Sequence, residues 1–230
     1  MDYGQAGLDE MIRLLDAKGI GYAGAGPNRA MAETAASYQV QGGPTVRLLS
    51  YLAFRTTTAL WTCTPATADQ PGIAVANLGG TVGTTQRTWI SSQVSAAKRP
   101  GEVLIVALHW GIEKEKAPNS YQTALGRAFI DVGADVVLGS HPHVLQGTEV
   151  YRGKPILYSL GNLVSPRPAS TAVYSLSFVG TKLRSIDILP ARIRGGKTTL
   201  VPVEEVPKAL NAIRMLDRKV PGAATRRRSN

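Results

Sequence analysis

The chain has 230 residues, 43% hydrophobic and 18% charged, enough for a domain with a real core and too apolar for a disordered segment. Its longest apolar run, Val103–Leu108, is strand-sized, so the sequence contains no membrane-spanning segment, and the start has neither the basic nor the apolar region of a signal peptide. The lone Cys63 excludes an intrachain disulfide and a cysteine zinc site, and leaves the redox compartment open. The formal net charge is +10, and seven of the 26 basic residues fall from Lys208 onward, against one acid, Asp217. Such a block reads as a solvated tail, or as a surface for a polyanion. Without interleaved aromatics or a recognisable module, nucleic acid ranks low as a partner.

Leu8, Met11, Ile12 and Leu15 recur at helical spacing, with Gly19 as the stop. A short strand or loop, 20–26, follows, and Asn28 can cap a short helix running to about Ala36. Val46–Phe54 reads as a strand, 55–72 as a loop rich in Thr, Pro and Ala, 73–78 as a strand and 85–97 as a helix. The second half is clearer. Val103–Leu108 and Ala134–Leu138 are buried strands separated by a helix over 119–132, an order that predicts a right-handed crossover and a parallel pair. Strand-like runs on either side of Arg152-Gly153-Lys154 predict a hairpin. Further strands are expected at 172–178, 184–193 and 200–206, then a short helix over 208–216. The domain is expected over 1–218, with a basic disordered tail over 219–230.

Only three histidines are present: His109, His141 and His143. All follow the two predicted buried strands, and ligands gather beyond the carboxyl ends of parallel strands. Neutral imidazole suits Zn, Fe or Mn, so three rings at one sheet edge point to a divalent metal site. Pro142 stiffens the His-x-His pair, and Gly139 lets the chain turn as it leaves the sheet. A lone histidine at a strand end is usually just a satisfied polar group; three of three is a different matter. Glu113 is either a hydrogen-bond partner of a ligand imidazole or a surface acid paired with Lys114 or Lys116. Asn162 either orients a loop or substrate or is a plain turn residue, and Gln146 is equally ambiguous. Asp131 and Asp135 read as structural. Gly24-Ala25-Gly26 lacks the Lys-Ser/Thr of a phosphate loop, and no Gly-x-Ser-x-Gly elbow occurs.

The segments LIVALHWGIEKEKAP (104–118) and FIDVGADVVLGSHPHVLQGTEVYRGKPILYSLGN (129–162), with Gln122 between them, resemble the CapA family of poly-γ-glutamate capsule biosynthesis. The opening 32 residues resemble the family just after its Asn-Asn-His motif. That family is similar in fold to calcineurin-like metallophosphoesterases. The resemblance therefore implies an α/β protein, a partial metallophosphoesterase-like sandwich of mixed β-sheets flanked by helices and lacking the N-terminal strands. It implies a pair of divalent ions, with His109, His141 and His143 as ligands. Ser140 stands where the family commonly has another histidine. The family's Gly-Asp, Gly-Asn-x-Glu and Asn-Asn-His motifs, which include the usual bridging Asp, are absent before Met1-Asp2-Tyr3-Gly4. Met1 thus reads as an internal methionine, from a misassigned start or a truncated gene.

Three functions follow from the resemblance. The first is a role in synthesis or export of poly-γ-glutamate, with that anionic polymer or other capsule-synthesis proteins as partners and a partial metal site. The second is a phosphoesterase-type metal-dependent hydrolase completed by the missing segment. The third is an inactive gene fragment. Localisation would be cytoplasmic if Met1 is the true start, and membrane-anchored at the cell envelope if a longer N-terminus exists.

Overall fold

The structure, a computed structural model, describes residues 3–54, 64–76 and 82–222. In chain order it runs α1 (Gly4–Ala17), β1 (Ala25–Gly26), α2 (Arg29–Ala32), β2 (Ala36–Gln39), β3 (Thr45–Ala53), β4 (Gly72–Ile73) and α3 (Thr84–Ala97). There follow β5 (Val103–Trp110), α4 (Ser120–Asp131), β6 (Val136–Ser140), β7 (Thr148–Tyr151) and β8 (Lys154–Leu157). The chain closes with β9 (Ala169–Val179), β10 (Lys182–Arg194), β11 (Lys197–Leu200), a 3-10 turn over Val203–Glu205 and α5 (Val206–Asp217).

Six strands form one mixed sheet in the order β2-β3-β5-β6-β8-β7. The four inner strands are parallel, and the two outer ones are antiparallel to their neighbours. The β5–α4–β6 crossover and the β7–β8 hairpin are those expected from the apolar runs. β9, β10 and β11 make a separate antiparallel sheet, and β1 pairs with β4. The fold is mixed α/β with helices flanking the sheet, as expected.

The inner sheet alternates. Leu49, Tyr51, Leu104, Val106, Leu108 and Trp110 lie in the core with Ile90 and Val94 of α3 and Leu125 and Phe129 of α4. Tyr51 stacks on Phe129 at 6.1 Å and meets Trp89 edge-on at 5.2 Å. The alternate residues Leu52, Ile105, Ala107 and Leu138 are only half-buried. A second cluster joins α5 to the antiparallel sheet through Leu145, Ala172 and Ile213, with Tyr174, Ile188 and Leu216 beside it.

Asp135 ties the amino ends of the strands together. It accepts from the Leu104 N–H at 2.8 Å and from Lys154 at 2.9 Å, and pairs with Lys98. Asp131 pairs with Arg152 at 3.1 Å. Both acids are structural.

Several element boundaries differ from expectation. Asn28 does cap α2, accepting from the Met31 N–H at 3.0 Å, but the helix stops at Ala32 instead of Ala36. Residues 36–39 are taken by antiparallel pairing with β3, and a ladder overrides a weak helix. The strand expected over 200–206 is displaced: pairing with β10 ends at Leu200, and Pro202 leads into the 3-10 turn. The strand expected over 73–78 is reduced to Gly72–Ile73 and an isolated bridge from Val75 to Leu52. Residues 77 and 78, the loop 55–63 with Cys63, and 223–230 lie outside the described residues. After α5, Val220 is buried and Arg127 donates to the Pro221 carbonyl at 2.9 Å.

Candidate metal site at the sheet rim

Parallel register carries the site. Leu52, His109 and Ser140 stand side by side on β3, β5 and β6, so His141 begins one step beyond the ladder that ends at His109. His109 belongs to the strand itself; the expected strand end at Leu108 falls two residues short, because the ladder with β3 continues to Trp110.

Below this rim the sheet is packed too tightly to shift. The Trp110 indole N–H donates to the Tyr158 carbonyl at 2.8 Å, directly over Gly139. A Cβ at position 139 would lie 2.0 Å from that carbonyl oxygen and 2.4 Å from Trp110 Nε1. Gly139 is therefore required for close approach, and not only for turning.

Two loops above the rim are locked to each other. Asn119 and Gln122 form a reciprocal capping box at the start of α4. Gln122, fully buried, donates to Gln146 Oε1 at 2.9 Å. Gln146 in turn donates to the Glu115 and Ala117 carbonyls at 2.8 and 3.3 Å. The Lys114 N–H reaches the Pro142 carbonyl at 2.8 Å. Gln146 is thus the link between the loop after β5 and the loop after β6, which settles its role as structural support.

The three imidazoles converge. His141 Nδ1 lies 3.0 Å from His109 Nε2, and Ser140 Oγ lies 3.3 Å from His109 Nδ1. The His141 and His143 rings are 6.2 Å apart. Phe54, just past β3, meets His109 edge-on at 5.7 Å and His141 at 4.7 Å, forming a wall that the sequence reading missed. Its signal was weak: Phe54 ends the predicted strand, but only the β3–β5 register brings it to the rim. Ser140, which stands where the family commonly has another histidine, holds the far nitrogen of His109.

Asn162 reaches His143, with Oδ1 at 2.8 Å from Nδ1. An Nδ1–H donated there leaves the Nε2 lone pair for a ligand. The Asn162 carbonyl meanwhile accepts from the Thr171 hydroxyl of β9 at 2.5 Å. Glu113 is exposed and acts on His141 through its charge, and among the described residues it forms no ion pair with Lys114 or Lys116.

The backbone at the rim is unusual. His141 has φ +95° and His143 φ +59°, the left-handed region that side chains other than glycine rarely occupy. Residues held this way concentrate at functional sites.

Burial of the ring, followed by the neighbouring His141 and His143, lowers the His109 pKa to about 4. His109 is exposed as a residue, yet its nitrogens face Ser140 and His141 instead of open water; that local shielding governs the shift. Burial also lowers the His141 pKa, against the Glu113 carboxylate, which raises it. Both rings are neutral at pH 7, the form that offers a lone pair.

Donor type and spacing fit a divalent ion in part. Two nitrogens each ~2.1 Å from one ion and at a right angle to each other stand ~3.0 Å apart, the His109–His141 separation. His143 stands outside that pair. Among the described residues no three His, Cys, Asp or Glu side chains are grouped closely enough to close on an ion. The rim is an imidazole pair with a third imidazole beside it.

The mixed sheet with its flanking helices and a polar rim at the carboxyl ends of parallel strands is a mixed α/β architecture consistent with a metallophosphoesterase-like fold. The family model described as bacterial capsule synthesis protein PGA_cap matches residues 1–167, and the chain belongs to that family. The capsule biosynthesis protein CapA of Bacillus anthracis is 32% identical over 205 residues, which is 85% of this chain and 46% of that protein. The PGA biosynthesis protein CapA of Bacillus subtilis strain 168 is 34% identical over 164 residues, 71% of this chain and 40% of that protein. The chain spans less than half the length of these relatives. Among solved structures, a hypothetical protein from Thermus thermophilus aligns with a TM-score of 0.42 and 13% identity, over 73% of this chain and 62% of that one. No helix among the described residues is long and apolar enough to cross a membrane.

Proposed function

We propose that this chain acts in the synthesis or export of a poly-γ-glutamate capsule polymer and holds a divalent ion (Mn, Fe or Zn) at the rim of His109, His141 and His143. The polymer role is supported by family membership and by the names of the two Bacillus relatives. The observation that carries the metal role is the His109–His141 nitrogen pair, 3.0 Å apart and neutral at pH 7. His143, oriented by Asn162, offers a further nitrogen, and the exposed Glu113 adds negative charge that favours a cation.

When bound, such an ion supplies Lewis-acid polarisation and a water activated for attack. The protein's part is to keep both rings neutral, fix their orientation and wall one side with Phe54. Imidazoles alone leave coordination positions open, which favours a second reading, phosphoesterase-type hydrolysis at the same rim. Isothermal titration with Mn and Zn, backed by elemental analysis, tests the metal role. Wild type takes up cation, and His109→Ala and His141→Ala lose it while keeping their unfolding transitions. A wild-type protein that takes up neither metal overturns the metal role. Turnover of a generic phosphodiester, abolished by the same variants, decides for the hydrolase.

A further inference from the structure

A cleft of about 560 Å³ opens beside the rim, between the antiparallel sheet and α5. That is ligand-sized. Its walls combine apolar residues, Leu145, Val201 and Ile213, with three cations, Lys116, Arg192 and Lys208, and one carboxylate, Glu205. His143 lines it too, so the cleft and the rim are continuous. The Asn162 peptide joins them physically, its side chain on His143 and its carbonyl on Thr171 of the cleft wall.

The charges are not equivalent. Arg192 is committed to Glu205 through a two-pronged pair. Lys208 acts on Glu205 through charge but forms no ion pair among the described residues, and neither does Lys116. Both lysines are exposed. One comes from the loop after β5 and the other from the first turns of α5, so two uncommitted cations from separate elements line the same cleft as the apolar residues.

From this arrangement we infer that the cleft binds a γ-linked glutamyl chain, with Lys116 and Lys208 taking successive carboxylates and the apolar wall taking the methylenes between them. In a γ-linked chain the methylene pairs lie in the backbone and a carboxylate hangs from every residue. Alternating apolar and anionic character is what the cleft complements. A chain lying there passes His143. The inference rests on the polymer part of the reading above and is independent of any metal.

The test is binding of a fluorescent γ-glutamyl decamer to the chain, followed by anisotropy. A γ-linked decamer of equal length with every pendant α-carboxylate converted to the carboxamide serves as the uncharged control, and Lys182→Glu, at an exposed strand end remote from the cleft lining, as the charge control. The acidic decamer is expected to bind saturably and the amide decamer not to bind. The double variant Lys116→Glu/Lys208→Glu should weaken binding by about tenfold or more, beyond any effect of Lys182→Glu. The inference is overturned by absence of saturable binding, by equal losses in the double variant and Lys182→Glu, or by displacement with single-stranded DNA as readily as with unlabelled decamer. Metal uptake measured on the same samples separates the two readings. Uptake without decamer binding removes the cleft and spares the rim; decamer binding without uptake does the reverse.

Discussion

Asn162 Oδ1 stands 2.8 Å from His143 Nδ1, on the side of the ring away from its Nε2. This contact selects the tautomer and aims the free nitrogen. Asn162→Ala is expected to fold normally and to lower cation affinity by about 10–100-fold, the usual loss when a ligand's orienting partner is removed. Titration calorimetry reads it directly. An affinity equal to wild type would remove His143 from the site.

Gln122 and Gln146 share a buried hydrogen bond at 2.9 Å. Gln122→Leu leaves Gln146 Oε1 without its donor and breaks the capping box at once. A loss of about 1–3 kcal/mol is expected from urea unfolding. Because the two residues act on one bond, the double change to Leu should cost less than the two single changes summed.

Gly139 sits under the Trp110–Tyr158 contact. Gly139→Ala places a methyl group against the Tyr158 backbone carbonyl, which has no side-chain freedom with which to yield. We expect a loss of about 3 kcal/mol, the upper end for overpacking. Unchanged stability would mean that β6 and β8 are farther apart than described.

The His109 pKa near 4 lies below the ordinary 6.5, so the unfolded chain binds this proton more tightly than the folded one. The stability linked to it is fully present above pH 6.5 and is lost as pH falls toward 4. Access of water to the exposed ring damps the size of the effect. Chemical denaturation of the metal-stripped protein should show stability falling across that window, with a flatter slope in His109→Asn. Parallel slopes would mean that the ring is fully hydrated.

The parts of the fold legible in the sequence are those written as local pattern. Val103–Leu108 and Ala134–Leu138 are continuous apolar runs of strand length, and Arg152-Gly153 marks its own turn. Positions that depend on partners were not legible. Nothing in Ala36–Gln39 announces that β3 will claim it from a capped helix. Phe54 reaches the histidines only through the β3–β5 register, and Thr171 reaches Asn162 from another sheet. For the site, three histidines after two strands were enough to locate the rim. That His109 and His141 pair closely while His143 leans on Asn162 is three-dimensional information. Gln146 shows the same limit: a buried amide and an exposed one are spelled alike.

His141 and His143 occupy corners where glycine would sit more comfortably. Pro142 separates the two bends, so each imidazole leaves the chain in a direction set by its own backbone corner, and a glycine there would release the bend and remove the ring together.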